Sequence, residues 1–156
     1  MIELKKTIKQ NNLFIDELTE EVGEIVKNTN SEIAHATVMV SHELLENVIK
    51  YGIFNDDQNL NVFQLESDNN SIKISVTNVV QSEKDIDNIV KRISTINQSN
   101  NVLDLYQKRL LEIKNNRVQG ESKLGFYKIN YEGKFKLQSY HKNNIITIVA
   151  IRNLKE

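Results

Sequence analysis

Between Ser31 and Thr77 the hydrophobic repeat changes from a helical period to a period of two, and this change constrains the fold more than any other feature of the chain. Ile33, Ala36, Val40, Leu44, Leu45, Val48 and Ile49 form a wide apolar stripe on a predicted helix that runs through Tyr51. Asn30-Ser31 offers its N-terminal cap, Glu32 sits in its first turn, and Gly52 fits its stop. Ile72, Ile74 and Val76 then alternate with polar residues, as in a strand buried on one face only. So wide a stripe needs an apolar surface to lie on, and a one-sided sheet supplies it. The pair predicts two layers.

The remaining segments fill out that scheme. Asn11 to Asn28 carries Phe14, Leu18, Val22, Ile25 and Val26 at helical spacing. Residues 60–65 and 72–77 read as strands joined by the turn Asp68-Asn69-Asn70. Helices are predicted over 83–97 and 101–115, the second on Val102, Leu105, Tyr106 and Ile113. A polar, glycine-containing loop at 116–125 leads to a short helix over 124–130 and to strands over 135–140 and 145–151. The order argues for an α+β fold, a two-layer sandwich with helices on one face of a mixed, mainly antiparallel sheet. With no linker, repeat or proline in between, residues 1–156 read as a single domain.

Composition removes several function classes. The chain has no cysteine, which excludes disulfides, iron–sulfur clusters and thiolate zinc sites, and three histidines make an unpromising metal set. No apolar run is long enough for a membrane helix, and the lysines of Met1 to Lys9 are not followed by the apolar core of a secretory signal. The expectation is a cytoplasmic protein with no membrane partner. The net charge of −1 conceals a polarity. Residues 1–78 hold 6 Lys and Arg against 13 Asp and Glu, residues 79–156 hold 14 against 8, and the halves carry −7 and +6. Two solvated faces explain this, and so does a basic rim over an anionic ligand or an acidic partner. No basic stripe with interleaved aromatics appears, so nucleic acid is not expected as a partner.

The chemistry concentrates in Glu43-Leu44-Leu45-Glu46-Asn47-Val48-Ile49-Lys50-Tyr51-Gly52. Glu43, Asn47 and Lys50 are four and three residues apart, so one helical stripe brings a carboxylate, an amide and an ammonium into one small volume. Such a set suits a magnesium-bound phosphate. It also suits the polar side of any amphipathic helix. His42 beside Glu43 fits an ordinary helix surface, and His35 fits half-buried packing.

A helix bearing Glu-x-x-x-Asn, a hairpin, a glycine loop with a helix, and a second hairpin together resemble the GHKL ATPase fold of gyrase, histidine kinases and anti-sigma-factor kinases. The stretch Glu43 to Gly52 is similar to that superfamily's N-box. The resemblance implies that Asn47 ligates Mg2+ on the phosphates of ATP. It implies that Glu43 acts as general base and that Lys50 lies near the phosphates. A nearer likeness is to the SiaB-type branch of bacterial regulators. It is carried by Thr77-Asn78-Val79-Val80, by the helical insert through Leu105-Tyr106-Gln107-Lys108-Arg109-Leu110, and by Gly120-Glu121-Ser122-Lys123-Leu124-Gly125. That last loop resembles the second glycine box, which implies phosphate contacts for Gly120, Lys123 and Gly125; Arg109 and Arg117, flanking the helical insert, are candidate partner or phosphate contacts.

The implied activity is that of an ATP-dependent serine/threonine protein kinase, or an anti-sigma-type regulator, in partner switching. It would act on a small regulatory protein, STAS-like or SiaC-like, and a homodimer is compatible with the family. One departure matters. Where GHKL proteins carry Asp-x-Gly-x-Gly after this strand, the chain has Asn78 followed by Val79-Val80-Gln81-Ser82. Asn78 can still accept from an adenine amino group, but a neutral acceptor bonds more weakly than a carboxylate. The alternative is therefore a non-enzymatic protein-binding module that keeps the fold and no longer binds nucleotide.

Overall fold

Helix α1 (Asn12–Val26) starts where the Asn11 side chain accepts from the Phe14 N–H at 2.7 Å, and α2 (Ser31–Tyr51) where the Asn30 side chain accepts from Glu32. The computed structural model describes residues 1–54, 60–116 and 124–155. Within them α2 ends at Gly52, whose N–H donates to the Val48 carbonyl at 2.7 Å. A Cβ at Gly52 would stand 2.5 Å from that same oxygen, so only glycine fits.

Strands β2 (Val62–Ser67) and β3 (Ser71–Val79) form a hairpin. The Asp68 carboxylate accepts from the N–H groups of Asn70 and Ser71 at 2.7 and 2.9 Å, which closes the turn and holds that carboxyl below its ordinary range. Then come α3 (Glu83–Gln98), α4 (Val102–Asn116), α5 (Gly125–Tyr131), β4 (Lys136–Lys142) and β5 (Ile145–Asn153). An N-terminal strand, β1 (Ile2–Thr7), pairs with β2 along its whole length. The sequence reading does not anticipate β1, because Ile2 and Leu4 are too few apolar residues to mark a strand until β2 is beside them.

The sheet order is β1-β2-β3-β5-β4, and every pairing is antiparallel. The mixed character expected of the sheet thus narrows to one sense, since neighbours are joined by hairpins or by antiparallel returns. The α+β two-layer architecture itself is as expected. Phe63, Leu65, Ile72, Ile74, Val76, Ile146, Ile148, Ala150 and Leu137 share the inner face and are buried. Val40, Leu44, Leu45 and Val48 of α2 meet them, with Ile86, Ile93 and Ile96 of α3 and Ile129 of α5 completing the core. The outer face carries Ser75, Thr77 and Thr147, and the two threonine hydroxyls hydrogen-bond at 2.9 Å. No helix among the described residues is long and apolar enough to cross a membrane.

One buried asparagine ties the layers together. Asn61 is fully enclosed; its Nδ2 donates to the Ile53 carbonyl at 2.8 Å and its Oδ1 accepts from the Val79 N–H at 3.1 Å. Ile53 N–H in turn donates to Val79, and Gly52 bridges to Val80. The end of α2 is thereby fixed to the end of β3. Replacing Asn61 by Ala leaves a buried donor and a buried acceptor unsatisfied. The expected loss is about 3 kcal/mol, read in a urea titration and as a melting temperature lower by roughly 6–12 °C. An unchanged midpoint would show that this tie does not hold the two layers.

Candidate functional site

The burial of Val40, Leu44, Leu45 and Val48 sets the rotation of α2 about its axis, and that rotation turns Glu43, Glu46, Asn47 and Lys50 to the far side of the helix from the sheet. They open onto a cleft of about 140 Å³, whose opposite wall is Asp85, Asn88 and Arg92 of α3 and whose end is formed by Gly125 and Phe126 of α5. The α3 residues follow the same logic. Ile86, Ile89, Ile93 and Ile96 are buried, so positions 85, 88 and 92 flank that apolar stripe and point across at α2. Ser82 caps α3, accepting from the Asp85 N–H at 3.3 Å.

Glu43 is largely enclosed, its side chain 19% exposed against 55% for Glu46. Lys128 of α5 donates to its Oε1 at 3.4 Å. A Cβ on Gly125 would lie 3.0 Å from Glu43 Oε2, so the glycine allows α5 to approach the carboxylate this closely. Asn47 lies half-buried one turn further on, and among the described residues its amide forms no hydrogen bond. Lys50 is exposed at the rim, 5.4 Å from the centre of the Tyr51 ring. Two cations, Lys50 and Arg92, therefore face three carboxylates, Glu43, Glu46 and Asp85.

Helix α4 stands over α5. The Tyr106 hydroxyl donates to Glu132 Oε1 at 3.1 Å, and the Tyr106 and Tyr131 rings lie 5.8 Å apart. Burial raises the Tyr106 phenol above its ordinary value, aided by the bond to Glu132 and by the negative charges of Glu132 and Glu43. Glu43 is thus felt on α4 as well as on α5. Arg109, a candidate phosphate or partner contact, is paired with Glu112 on its own helix at 2.8 Å.

Four of the residues singled out in the sequence, Glu43, Asn47, Lys50 and Gly125, meet in this cleft. Asn78 does not line it. Asn78 sits on the inner face of β3, opposite Ile146 and 3% exposed, because the alternation that buries Ile72, Ile74 and Val76 carries it inward too. Among the described residues its side chain makes no hydrogen bond. Gly120, Lys123 and Arg117 lie outside the described residues. His42 faces Glu46 at 3.6 Å on the helix surface. Sequence reasoning missed Asp85, Asn88, Arg92 and Lys128, whose only signal was their offset from an apolar stripe on other helices.

The residues present fit a magnesium-bound phosphate in donor chemistry but not as a closed metal site. Among the described residues no three His, Asp or Glu side chains are grouped to hold a metal ion. A magnesium ion would take one oxygen from Asn47 and the rest from phosphate and water, which is its common habit. At about 140 Å³ the cleft is smaller than the roughly 300–1,000 Å³ of a whole small-molecule site.

No family model matches the chain, and no curated protein matches it in sequence. Among solved structures, its fold is similar to that of a chain in the crystal structure of the SiaB-SiaC complex from Pseudomonas aeruginosa. The TM-score is 0.72 at 14% sequence identity, with 99% of this chain and 90% of that chain covered. At that identity the likeness is one of fold.

The packing of α4 on α5 can be read from one phenol. Subtracting the 295 nm titration of Tyr106→Phe from that of the wild type should give a tyrosine ionising above the ordinary value near 10. Glu132→Gln should bring it down, and Glu43→Gln should do so by a smaller amount. An ordinary midpoint, insensitive to both changes, would mean that Tyr106 does not lie beside these carboxylates.

Proposed function

We propose that this chain is a signalling regulator that acts on a small partner protein, and that its α2–α3 cleft receives the phosphate end of magnesium ATP in the manner of GHKL kinases. The observation that carries the nucleotide half is the convergence of Glu43, Asn47, Lys50 and Gly125 with Arg92 in one small cleft. The partner half is supported by the fold shared with a chain of a two-protein complex.

In this reading magnesium ATP, when bound, supplies the transferable phosphoryl group. Phosphoryl transfer asks the protein mainly for positioning and charge neutralisation. Asn47 offers a neutral oxygen to the metal, while Lys50 and Arg92 offset phosphate charge from opposite walls. Glu43 accepts the proton of a serine or threonine hydroxyl brought by the partner. Lys128, 3.4 Å from Glu43, must move aside as the carboxylate takes the proton. Gly125 exposes its backbone where a side chain would crowd Glu43.

A second reading has specific support. Asn78 is enclosed and uncharged where the GHKL pattern has an aspartate, and Glu43 already has a cation beside it. Both suit a module that binds its partner without nucleotide. Calorimetric titration with ATP and ADP, with and without magnesium, separates the two. The kinase reading expects magnesium-dependent binding, at least tenfold weaker in Asn47→Ala. It expects Glu43→Gln to bind nucleotide as the wild type does while losing transfer to the partner. Absence of binding at millimolar nucleotide would overturn the kinase reading in favour of the module.

A further inference from the structure

From Gly133 to Lys155 the chain contains no Asp or Glu, while it contains Lys134, Lys136, Lys142, Arg152, Lys155 and His141. Some of these charges are answered from elsewhere. Arg152 and Lys134 reach Glu32 of α2 at 2.6 and 3.9 Å, and Lys155 lies near enough to Asp68 to lower its pKa. Lys136, His141 and Lys142 are exposed and, among the described residues, have no acidic partner. All three belong to β4, an edge strand of the sheet.

The free edge of β4 can be read from its ladder. Lys142 and Ile145 flank the two-residue turn Asn143-Asn144, so they exchange backbone hydrogen bonds, and alternate residues back along β4 turn their amides away from β5. Those residues are His141, Ser139 and Leu137. Asn97 of α3 donates to the Leu137 carbonyl at 2.9 Å, which agrees with that direction. Among the described residues the outward groups of Ser139 and His141 take no partner. A groove of about 380 Å³ runs beside this edge, with Val90, Ile93, Ser94 and Gln98 of α3 on one side and Gln138 and Tyr140 on the other. The α3 stretch from Val90 to Gln98 is also free of acidic residues.

We propose that the β4 edge docks an extended segment of a partner protein that alternates acidic and apolar residues, added as a sixth strand. Its backbone would pair with Ser139 and His141, its apolar residues would face Val90 and Ile93, and its acids would meet Lys136 and Lys142. A second copy of this chain pairing through the same edge is disfavoured. Antiparallel self-pairing centred on Ser139 sets Lys136 directly opposite Lys142, and like charges opposite one another destabilise a ladder. Edge lysines deter indiscriminate strand pairing, and here the acid-free flank restricts the edge to acidic strands. Nucleic acid is disfavoured because two lysines are a small footprint for a phosphate backbone. The inference deepens the partner-binding half of the proposed function and needs no nucleotide, so either can fail while the other stands.

The test is an NMR titration of the full chain, labelled with 15N, using an eight-residue peptide alternating glutamate and valine, and its lysine and valine counterpart. Saturable amide shifts confined to residues 137–142 and 90–98, given by the acidic peptide alone, are expected. The double charge reversal Lys136→Glu with Lys142→Glu should weaken binding at least tenfold. Ser139→Pro removes an outward N–H without removing a ladder bond, so it should abolish binding while melting like the wild type. If that variant does not fold, the charge reversal decides. Equal binding of the lysine peptide, shifts elsewhere, or no saturation at millimolar peptide would overturn the proposal. So would a free protein that is dimeric through β4, or displacement of the acidic peptide by a thymidylate 12-mer.

Discussion

The orientation of α2 on the sheet is the constraint from which the rest follows. Its buried stripe includes two residues that are not apolar, Thr37 and Ser41, both with no exposure. Each hydroxyl donates to the carbonyl four residues earlier, at 2.7 and 2.8 Å, so neither brings an unmet polar group into the core. The helix can therefore press an unbroken face on Ile74, Val76 and Ile148. Gly133 lets the α5–β4 connection close in from the other side, since a Cβ there would lie 2.9 Å from Val40 Cγ2. With one face committed to the core, the directions of Glu43, Asn47 and Lys50 are no longer free.

That commitment couples the site to stability. Turning α2 enough to remove Glu43 from the cleft would expose Leu44 or Val48, and each fully buried aliphatic side chain is worth about 1.5–3 kcal/mol. The opposite wall is held the same way by the isoleucines of α3. The Glu43–Lys128 pair then bridges α2 and α5, with the glutamate side chain about four-fifths enclosed. Removing the lysine alone would leave a poorly solvated carboxylate facing Glu46 and Asp85, so the pair fixes α5 in place as well as neutralising the site.

The periodic parts of this architecture were legible in the sequence, and the parts made by distant pairing were not. Helices and strands announced themselves because Ile33 to Ile49 and Ile72 to Val76 keep their periods without interruption. Glu43, Asn47 and Lys50 could be grouped because helical spacing alone brings them together. Lys128 could not be, since it lies 85 residues from Glu43 and meets it only after α5 has docked. Arg92 needed the rotation of α3, and β1 needed β2. Asn61 reads as an ordinary polar residue before a strand. Its role depends on Ile53 and Val79 arriving on either side. Asn78 was assigned to the correct strand, but strand alternation placed it beneath the helix layer and away from the cleft.

Asn78 carries the sharpest physical choice in the molecule. An aspartate at a position 3% exposed, with no hydrogen-bond partner among the described residues, would carry its charge poorly solvated, and its pKa would rise. A ligand donor held against it would relieve that cost, so a carboxylate there makes the empty fold depend on its ligand. Asparagine has nearly the same shape and no charge. A neutral amide is far cheaper to enclose than an ion, which costs several kcal/mol. A chain with Asn78 thus keeps its sheet intact when nothing is bound, and it gives up the strongest single contact an adenine amino group could make. Any nucleotide affinity must then come from the charged cleft between α2 and α3, where Asn47, Lys50 and Arg92 stand. Discrimination would rest on phosphate and metal, with the base contributing least.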